Sequence, residues 1–562
     1  MTPEPQAPRT NLVVAGLLLA VGLLYASGLR YQLVYDDAML VGASRLQGAL
    51  GDLPGILSWD LWASTTQAES AASGYYRPLF LLSLWVDRLL PADLWLLSHR
   101  VQGLAWHLGV TALLVGMARS RGASLPAACL AAAMFALHPA QVASVQFIAA
   151  RNDIMAAALV LVALQVARGA SAWRRGALVV LTFGAVLSKE SALLAPALLG
   201  VGALVEPGIG RARRALEAAA CGALGVGLAL ALRTTVGVGY PPGASVSAML
   251  GAVGPALAQW ASVLVAPVGL TPGVNMTWPE PVGTGAVAGA VVLLGLVAAG
   301  AGRVGLGFLG GAGLLLLPAL AGVAGNGLMP DRYLYGPLAM LVVPLSIALD
   351  RLPRPAGLGL GLITSLGLWG LSAGTLPVWQ SDATLWRAAA RAHPQPFTWA
   401  AYGKTLEDAG LVDEAAALIE KAATGSPPMP HACFNATRIQ LRRGAPAEAA
   451  RVGTAALDAG CEASPELLAP MAVGQAASGQ WAAAERTASW VGADPTGQAV
   501  LVRCAAAARR GELGVLTDAA RDGGGDPRAL QSQVAWLLRS AGEEAVALAV
   551  ESAPLDGSPL PR

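Results

Sequence analysis

The chain has 562 residues, of which 55% are hydrophobic and only 13% charged. Its mean hydropathy is +0.55, whereas soluble globular chains carry roughly 25% charged residues, so a wholly water-soluble fold is excluded. A net charge of +2 offers no basic face for a nucleic acid.

Apolar segments fall at about 12–29, 100–118, 124–137, 153–167, 176–188, 191–205, 215–232, 282–300, 304–321, 334–349 and 356–376. Several are shorter than the ~20 residues of a membrane span and must borrow flanking residues. The segment at 12–29 has only Arg9 before it and no small-residue cleavage site before Tyr31, so it reads as an uncleaved first span. The loops holding Arg119/Arg121, Arg168/Arg174/Arg175, Arg211/Arg213/Arg214, Arg303 and Arg351/Arg354 alternate with loops of mixed charge. The positive-inside bias places the Arg loops in the cytoplasm, with the N-terminus, and the others outside. A stretch at 246–270, with Pro267 inside it and Pro272 after it, reads as a re-entrant or interfacial helix; as a span it would move Arg303 outside.

The first outer loop, about 30–98, opens with Tyr35-Asp36-Asp37. Adjacent carboxylates repel unless one has a task or a partner; a general base is one reading and a helix-capping pair the other. The same loop carries Tyr75-Tyr76-Arg77-Pro78-Leu79, and Trp59, Trp62, Trp85 and Trp95 suit short interfacial helices. Further outer loops hold His138-Pro139, Arg151-Asn152-Asp153, Lys189-Glu190 and Asp331-Arg332-Tyr333, the last after Gly325-Asn326-Gly327, read as a flexible turn. Bland roles exist for each: a capping His138, an Arg151–Asp153 surface pair, a snorkelling Lys189. Together, Arg151, Lys189 and Arg332 share a leaflet with the carboxylate pair. Cations at headgroup level clamp a phosphate, so the outer face suits transfer from a lipid-phosphate donor.

After Trp379 the continuous apolar runs end. Gly410, Gly444, Gly479, Gly511 and Gly542 recur every 31 to 35 residues, the period of paired-helix repeats. Trp399-x-x-Tyr402-Gly403-x-x-Leu406, then Gly410 and Ala415, resembles a tetratricopeptide repeat; a plain Ala-rich helical bundle is the alternative. Trp386, Phe397 and Trp399 are expected to pack the first repeat helices. Cys433, Cys461 and Cys504 allow at most one disulfide in the tail, its partners unnamed. Three lysines against abundant Arg, Ala and Gly match a GC-rich bacterial genome.

The order Asp-Asp, Tyr-Arg-Pro-Leu, His-Pro-x-x-Val with Arg-x-Asp, Lys-Glu and Asp-Arg-Tyr-x-Tyr is similar to GT-C glycosyltransferases. Within them it is closest to the transmembrane and tetratricopeptide-repeat branch related to protein O-mannosyltransferases, and the likeness covers essentially the whole chain. The stretch Ser98-His99-Arg100 to Trp106-His107 matches the family's His-rich segment only loosely.

The resemblance implies an all-α chain: residues 1–11 a cytoplasmic tail, 12–378 a polytopic GT-C-like domain of about eleven spans, and 379–562 a periplasmic α-solenoid. It implies an inverting transferase moving a sugar, mannose foremost, from a polyprenyl-phosphate donor to a hydroxyl of protein Ser/Thr. Asp36 or Asp37 would be the base. Arg332, with Lys189 or Arg151, would bind the lipid phosphate. Tyr35, Arg77, His138, Asp153, Glu190, Asp331 and Tyr333 would support them. The expected partners are the lipid-sugar donor, a protein or glycan acceptor, membrane lipids and a protein held by the repeats, in a bacterial inner membrane. A divalent metal stays open. The alternatives are a lipid or polysaccharide acceptor, or a non-catalytic scaffold. A transporter would want charges inside the spans, which are nearly charge-free.

Overall fold

Apolar runs that cannot satisfy backbone polarity from lipid must do so internally, as helices. The computed structural model describes residues 6–66, 73–169, 171–239, 245–271, 284–326, 330–491, 496–523 and 526–553. Among them the regular elements are helical, with one isolated bridge between Ser44 and Thr65. The chain divides into two compact units, Met1–Ala388 and Ala389–Arg562. The segment after Trp379 still bonds within the first unit, as Asp382 shows below.

The first unit contains α1 (Gln6–Tyr25), α2 (Leu53–Ser58), α3 (Pro78–Asp87), α4 (Trp95–Arg119), α5 (Leu125–Ala136), α6 (Ala140–Gln146) and α7 (Arg151–Val166). It continues through α8 (Trp173–Ser188), α9 (Ala195–Val205), α10 (Arg211–Thr235), α11 (Val246–Val265), α12 (Thr284–Asn326), α13 (Tyr335–Arg351) and α14 (Arg354–Thr375). Eight helices among the described residues are long and apolar enough to cross a membrane, nine if the bent pair α5 and α6 is one span. The expected eleven differ for local reasons. The segment 176–188 lies within the 16-residue α8, and Lys189 with the tight turn Glu190–Leu194 shortens the next to the 11-residue α9.

Helix α12 is two helices in one. Gly302 sits at φ 59°, ψ −142°, and a Cβ on Gly305 would lie 3.5 Å from the Ala298 oxygen. Seven residues of continuous helix advance about 10 Å, so the chain doubles back at Gly302, where the sequence placed a break at Arg303. The stretch at 246–270 holds α11, one 20-residue helix whose length and apolarity would also suffice for a crossing. Pro267 follows its end, and Pro272, like Gly327, lies outside the described residues.

The Arg-bearing loops gather as the alternation requires. Arg121 and Arg168 both reach Glu206, at 2.8 and 3.1 Å, joining the loops after α4, α7 and α9. Arg351 donates to the Ala299 oxygen beside the Gly302 reversal, and Asp350 takes Ser124. In the first unit Tyr25 meets His107 and Phe135 meets Tyr335 edge to face, His107 lies tilted against Phe135, and His107 Nδ1 is 2.9 Å from the Tyr335 hydroxyl.

The second unit is led in by α15 (Asp382–Ala392) and built from five helix pairs. They are α16 with α17 (Pro396–Asp408, Val412–Ala423), α18 with α19 (Pro430–Arg442, Pro446–Asp458) and α20 with α21 (Pro465–Ala477, Trp481–Trp490). Then come α22 with α23 (Gln498–Arg509, Gly514–Gly523) and α24 with α25 (Pro527–Ser540, Glu544–Ser552). The periodic glycines fall between the partners of each pair, all with φ between 71° and 84°. A left-handed residue closing each first helix is why the period is written in glycine. Cys433 on α18 is bonded to Cys461 after α19, while Cys504 is free and buried. Trp399 packs against the Ala415–Ile419 core of the first pair.

Candidate active site

The two adjacent aspartates part company because of the residue before them. Tyr35 has φ +55°, a conformation that costs a non-glycine residue about 1–3 kcal/mol and persists only when its surroundings impose it. Here its N–H donates to Asp382 Oδ1 at 2.8 Å, its ring stacks on Phe147 at 5.6 Å, and Trp386 meets it edge-on at 5.2 Å. Trp386 thus serves the first unit as well as leading toward the repeats. The turn that follows sends Asp36 into a cavity of about 840 Å³. It sends Asp37, fully buried, the other way, to accept the N–H groups of Ile148 (3.1 Å) and Ala149 (2.8 Å).

Asp36 makes no side-chain hydrogen bond or ion pair among the described residues. Burial pushes its carboxyl up to about 6, with Arg332 and Arg77 pulling the other way. Burial likewise pushes Asp37 up to about 7, against Arg100 and its two backbone donors.

Three cations line the same cavity, and carboxylates neutralise two of them. Arg77 holds Glu190 through Nε and Nη2, at 2.9 and 2.8 Å from Oε2. Lys189 pairs with Asp153, and its Nζ lies 5.2 Å over the Tyr333 ring. Burial lowers Lys189 to about 8, with Asp153 opposing. The Arg332 guanidinium lies over the rings of Phe147 (5.3 Å) and Tyr333 (5.6 Å), with no carboxylate in ion-pair range among the described residues. Among the described residues the cavity therefore holds one unpartnered acid and one unpartnered cation. Its remaining wall is apolar, with Val160, Leu161, Leu193, Leu315, Pro318 and Met340.

Of the residues singled out in the sequence, Tyr35, Asp36, Arg77, Asp153, Lys189, Glu190, Arg332 and Tyr333 meet at this cavity. Asp37, His138, Arg151 and Asp331 are not among its lining residues. Arg151, only 1% exposed, binds Asp87 at 2.8 Å and the His99 oxygen at 2.7 Å. Asp87 also takes His99 Nδ1 at 2.5 Å and Ser98 Oγ at 2.6 Å, so this buried cluster fixes the start of α7. His138 Nδ1 accepts the Ala140 N–H at 3.2 Å, capping the bend into α6. Asp331 is buried in the turn that carries Arg332. Sequence reasoning assigns no role to Asp87, Phe147, Asn152 or Asp382. Among the described residues no group of three His, Cys, Asp or Glu stands in a metal-binding arrangement.

The chain is similar to the protein O-mannosyl-transferases Tmtc1 and Tmtc2 of Drosophila melanogaster. It is 28% identical to Tmtc1 over 202 residues, 35% of this chain and 23% of that protein. With Tmtc2 it is 28% identical over 189 residues, 31% and 19% of the two chains. The matches thus span less than a quarter of the length of these relatives. No family model and no solved structure matches the chain.

Proposed function

We propose that the chain is an inverting glycosyltransferase that moves a sugar, mannose foremost, from a polyprenyl-phosphate donor to an acceptor hydroxyl, with protein Ser/Thr as the first acceptor class. The observation that carries this reading is the pairing of opposites in one cavity. Asp36 is an acid without a partner, Arg332 a cation without a carboxylate, and apolar walls lie beside them. A phosphodiester needs the cation, a polyprenyl chain needs the apolar wall, and an acceptor hydroxyl needs the base.

The step is a single displacement. The acceptor oxygen bonds to the anomeric carbon as its proton passes to the Asp36 carboxylate. The bond from that carbon to the phosphate oxygen breaks, its electron pair stays with the phosphate, and the anomeric centre inverts. The leaving polyprenyl phosphate gains one negative charge beside Arg332, the kind of charge development that a preorganised cation stabilises most. Lys189 and Arg77, already paired with Asp153 and Glu190, hold the polar wall without overcharging it. Asp37 braces the turn at Ile148–Ala149.

Three observations support an outer site. The Arg loops favour a cytoplasmic opposite end. Residues 380–382, which lead out of the first unit, lie at the site, since the Gln32 N–H donates to the Gln380 oxygen at 3.0 Å and Tyr35 to Asp382. The Cys433–Cys461 bond suits an oxidising compartment. A periplasmic site in a bacterial inner membrane has no nucleotide sugar at hand, which is what a lipid-borne donor answers. The likeness to two O-mannosyl-transferases supports the sugar and the acceptor class.

The test is transfer of radiolabelled mannose from polyprenyl-phosphate mannose in membranes carrying wild type or Asp36→Asn. Label on protein with wild type only is expected. Equal labelling by both would overturn the assignment of the base, and no labelling by folded wild type with intact donor would overturn the donor class.

A further inference from the structure

Two buried acceptors at the start of α7 lack a donor among the described residues. Asn152 is 4% exposed; its Nδ2 donates to the Ala149 oxygen at 2.7 Å, and its Oδ1 has no hydrogen-bond partner among them. The Asp153 side chain is 10% exposed; Oδ1 holds Lys189, and Oδ2 has no partner among them. Both residues line the cavity. An unmet buried acceptor is destabilising, so a native site that keeps two side by side is completed by a donor from elsewhere.

We propose that Asn152 and Asp153 form a subsite that accepts hydrogen bonds from the hydroxyls of a neutral hexose at the polar end of the cavity, an assignment that rests on the donor reading above. Both vacant oxygens are acceptors, and one belongs to a carboxylate, so the group they take must donate and must not be an anion. A sugar acid or a second phosphate is repelled there, whereas a pair of ring hydroxyls fits. The Tyr333 ring links this subsite to the phosphate cation, lying 5.2 Å from Lys189 Nζ and 5.6 Å from Arg332 Cζ. The orientation of Asn152 is set from behind. Asp37 takes the Ala149 N–H, and the Ala149 oxygen takes the Asn152 amide, so the buried aspartate aims the sugar contact.

The experiment measures equilibrium binding to the full-length protein in detergent, independently of transfer. The probes are a short-chain polyprenyl-phosphate mannose, the same lipid phosphate without sugar, and donors lacking one hydroxyl each. In wild type the sugar is expected to tighten binding about 10–100-fold, the range of one or two satisfied buried hydrogen bonds, with one deoxy donor losing most of that gain. Asn152→Leu should erase the gain while leaving the sugar-free lipid unchanged, and Arg332→Ala should weaken both lipids alike and keep the gain. The subsite is overturned by a gain that Asn152→Leu leaves intact. It is equally overturned if no single hydroxyl changes wild-type affinity more than about threefold, a result that needs no variant to fold. Absence of any transfer, with a sugar gain still lost in Asn152→Leu, would condemn the transferase reading and leave the subsite standing.

Discussion

The pH profile of transfer isolates Asp36 from its neighbour. Burial raises the Asp36 carboxyl to about 6, Arg332 and Arg77 notwithstanding. A general base works ionised, so the activity it supports is present above that value and is lost as pH falls through it. Such a base is roughly nine-tenths ionised at pH 7 and one-tenth at pH 5, so kcat/KM should fall about tenfold between them. An unperturbed aspartate, near 3.9, would leave the same interval almost flat. Asp36→Asn should cost about 10²–10⁴ in rate and abolish the acid limb, because the surviving activity no longer waits on that proton. The assay is initial-rate transfer from polyprenyl-phosphate mannose between pH 5 and 8 at fixed ionic strength. Asp37 is the necessary control, since burial pushes it up to about 7. Asp37→Asn should keep the limb near pH 6. A flat wild-type profile would refute the reasoning, and a limb that vanished in Asp37→Asn but persisted in Asp36→Asn would reverse the two roles.

Other perturbations separate the remaining parts. Arg332→Ala should lower kcat about 10²–10³-fold and, because Arg332 holds Asp36 down, move the acid limb to higher pH; an unmoved limb would detach the two residues. Burial lowers Lys189 to about 8, so activity that needs its charge should decline above that pH. Lys189→Arg, charged throughout, should remove this alkaline limb, and an identical decline in the variant would assign it elsewhere. Arg151→Met strands a buried Asp87 and should destabilise the membrane unit by about 3–5 kcal/mol, seen as a lowered melting temperature in detergent. Partial recovery in Arg151→Met/Asp87→Asn is expected, and a melting point equal to wild type in the single variant would deny the cluster its structural role. The Cys433–Cys461 bond spans a sequence separation of 28, for which loop-closure entropy gives about 3–4 kcal/mol. Cys433→Ala should lower the urea midpoint of the repeat unit accordingly; no change would show that the pairing does not constrain unfolding.

Helical classes, repeat period and the gathering of Arg loops were legible because each follows from local chemistry. Long apolar runs have one way to satisfy their backbone, and a left-handed closing residue is written as glycine. The candidate site was only half legible. Arg151 and Asp153 stand two apart on a helix and point about 200° from each other, so both could not face one cavity. That signal was in the sequence, but choosing which of them faces inward required Asp87, 64 positions away. The choice between Asp36 and Asp37 was beyond local reading altogether. It turns on the backbone of Tyr35, which distant residues impose: Phe147, Asp382 and Trp386.

The same contact fixes when the site comes into being. Tyr35 and Asp382 are separated by 347 residues, and ribosomes add about 5–20 residues per second. Roughly 20–70 seconds of synthesis therefore elapse between the arrival of the base-bearing turn and that of the residue that holds it in shape. Throughout that interval Asp36 is attached to a turn without its brace, while most of the bundle inserts around it. A chain that ends between Met340 and Asp382 carries the whole cavity lining without the Asp382 brace on the turn proposed to bear the base. On the proposed reading, the arrival of residue 382 sets the base, and products that end before it are expected to stay silent toward the donor.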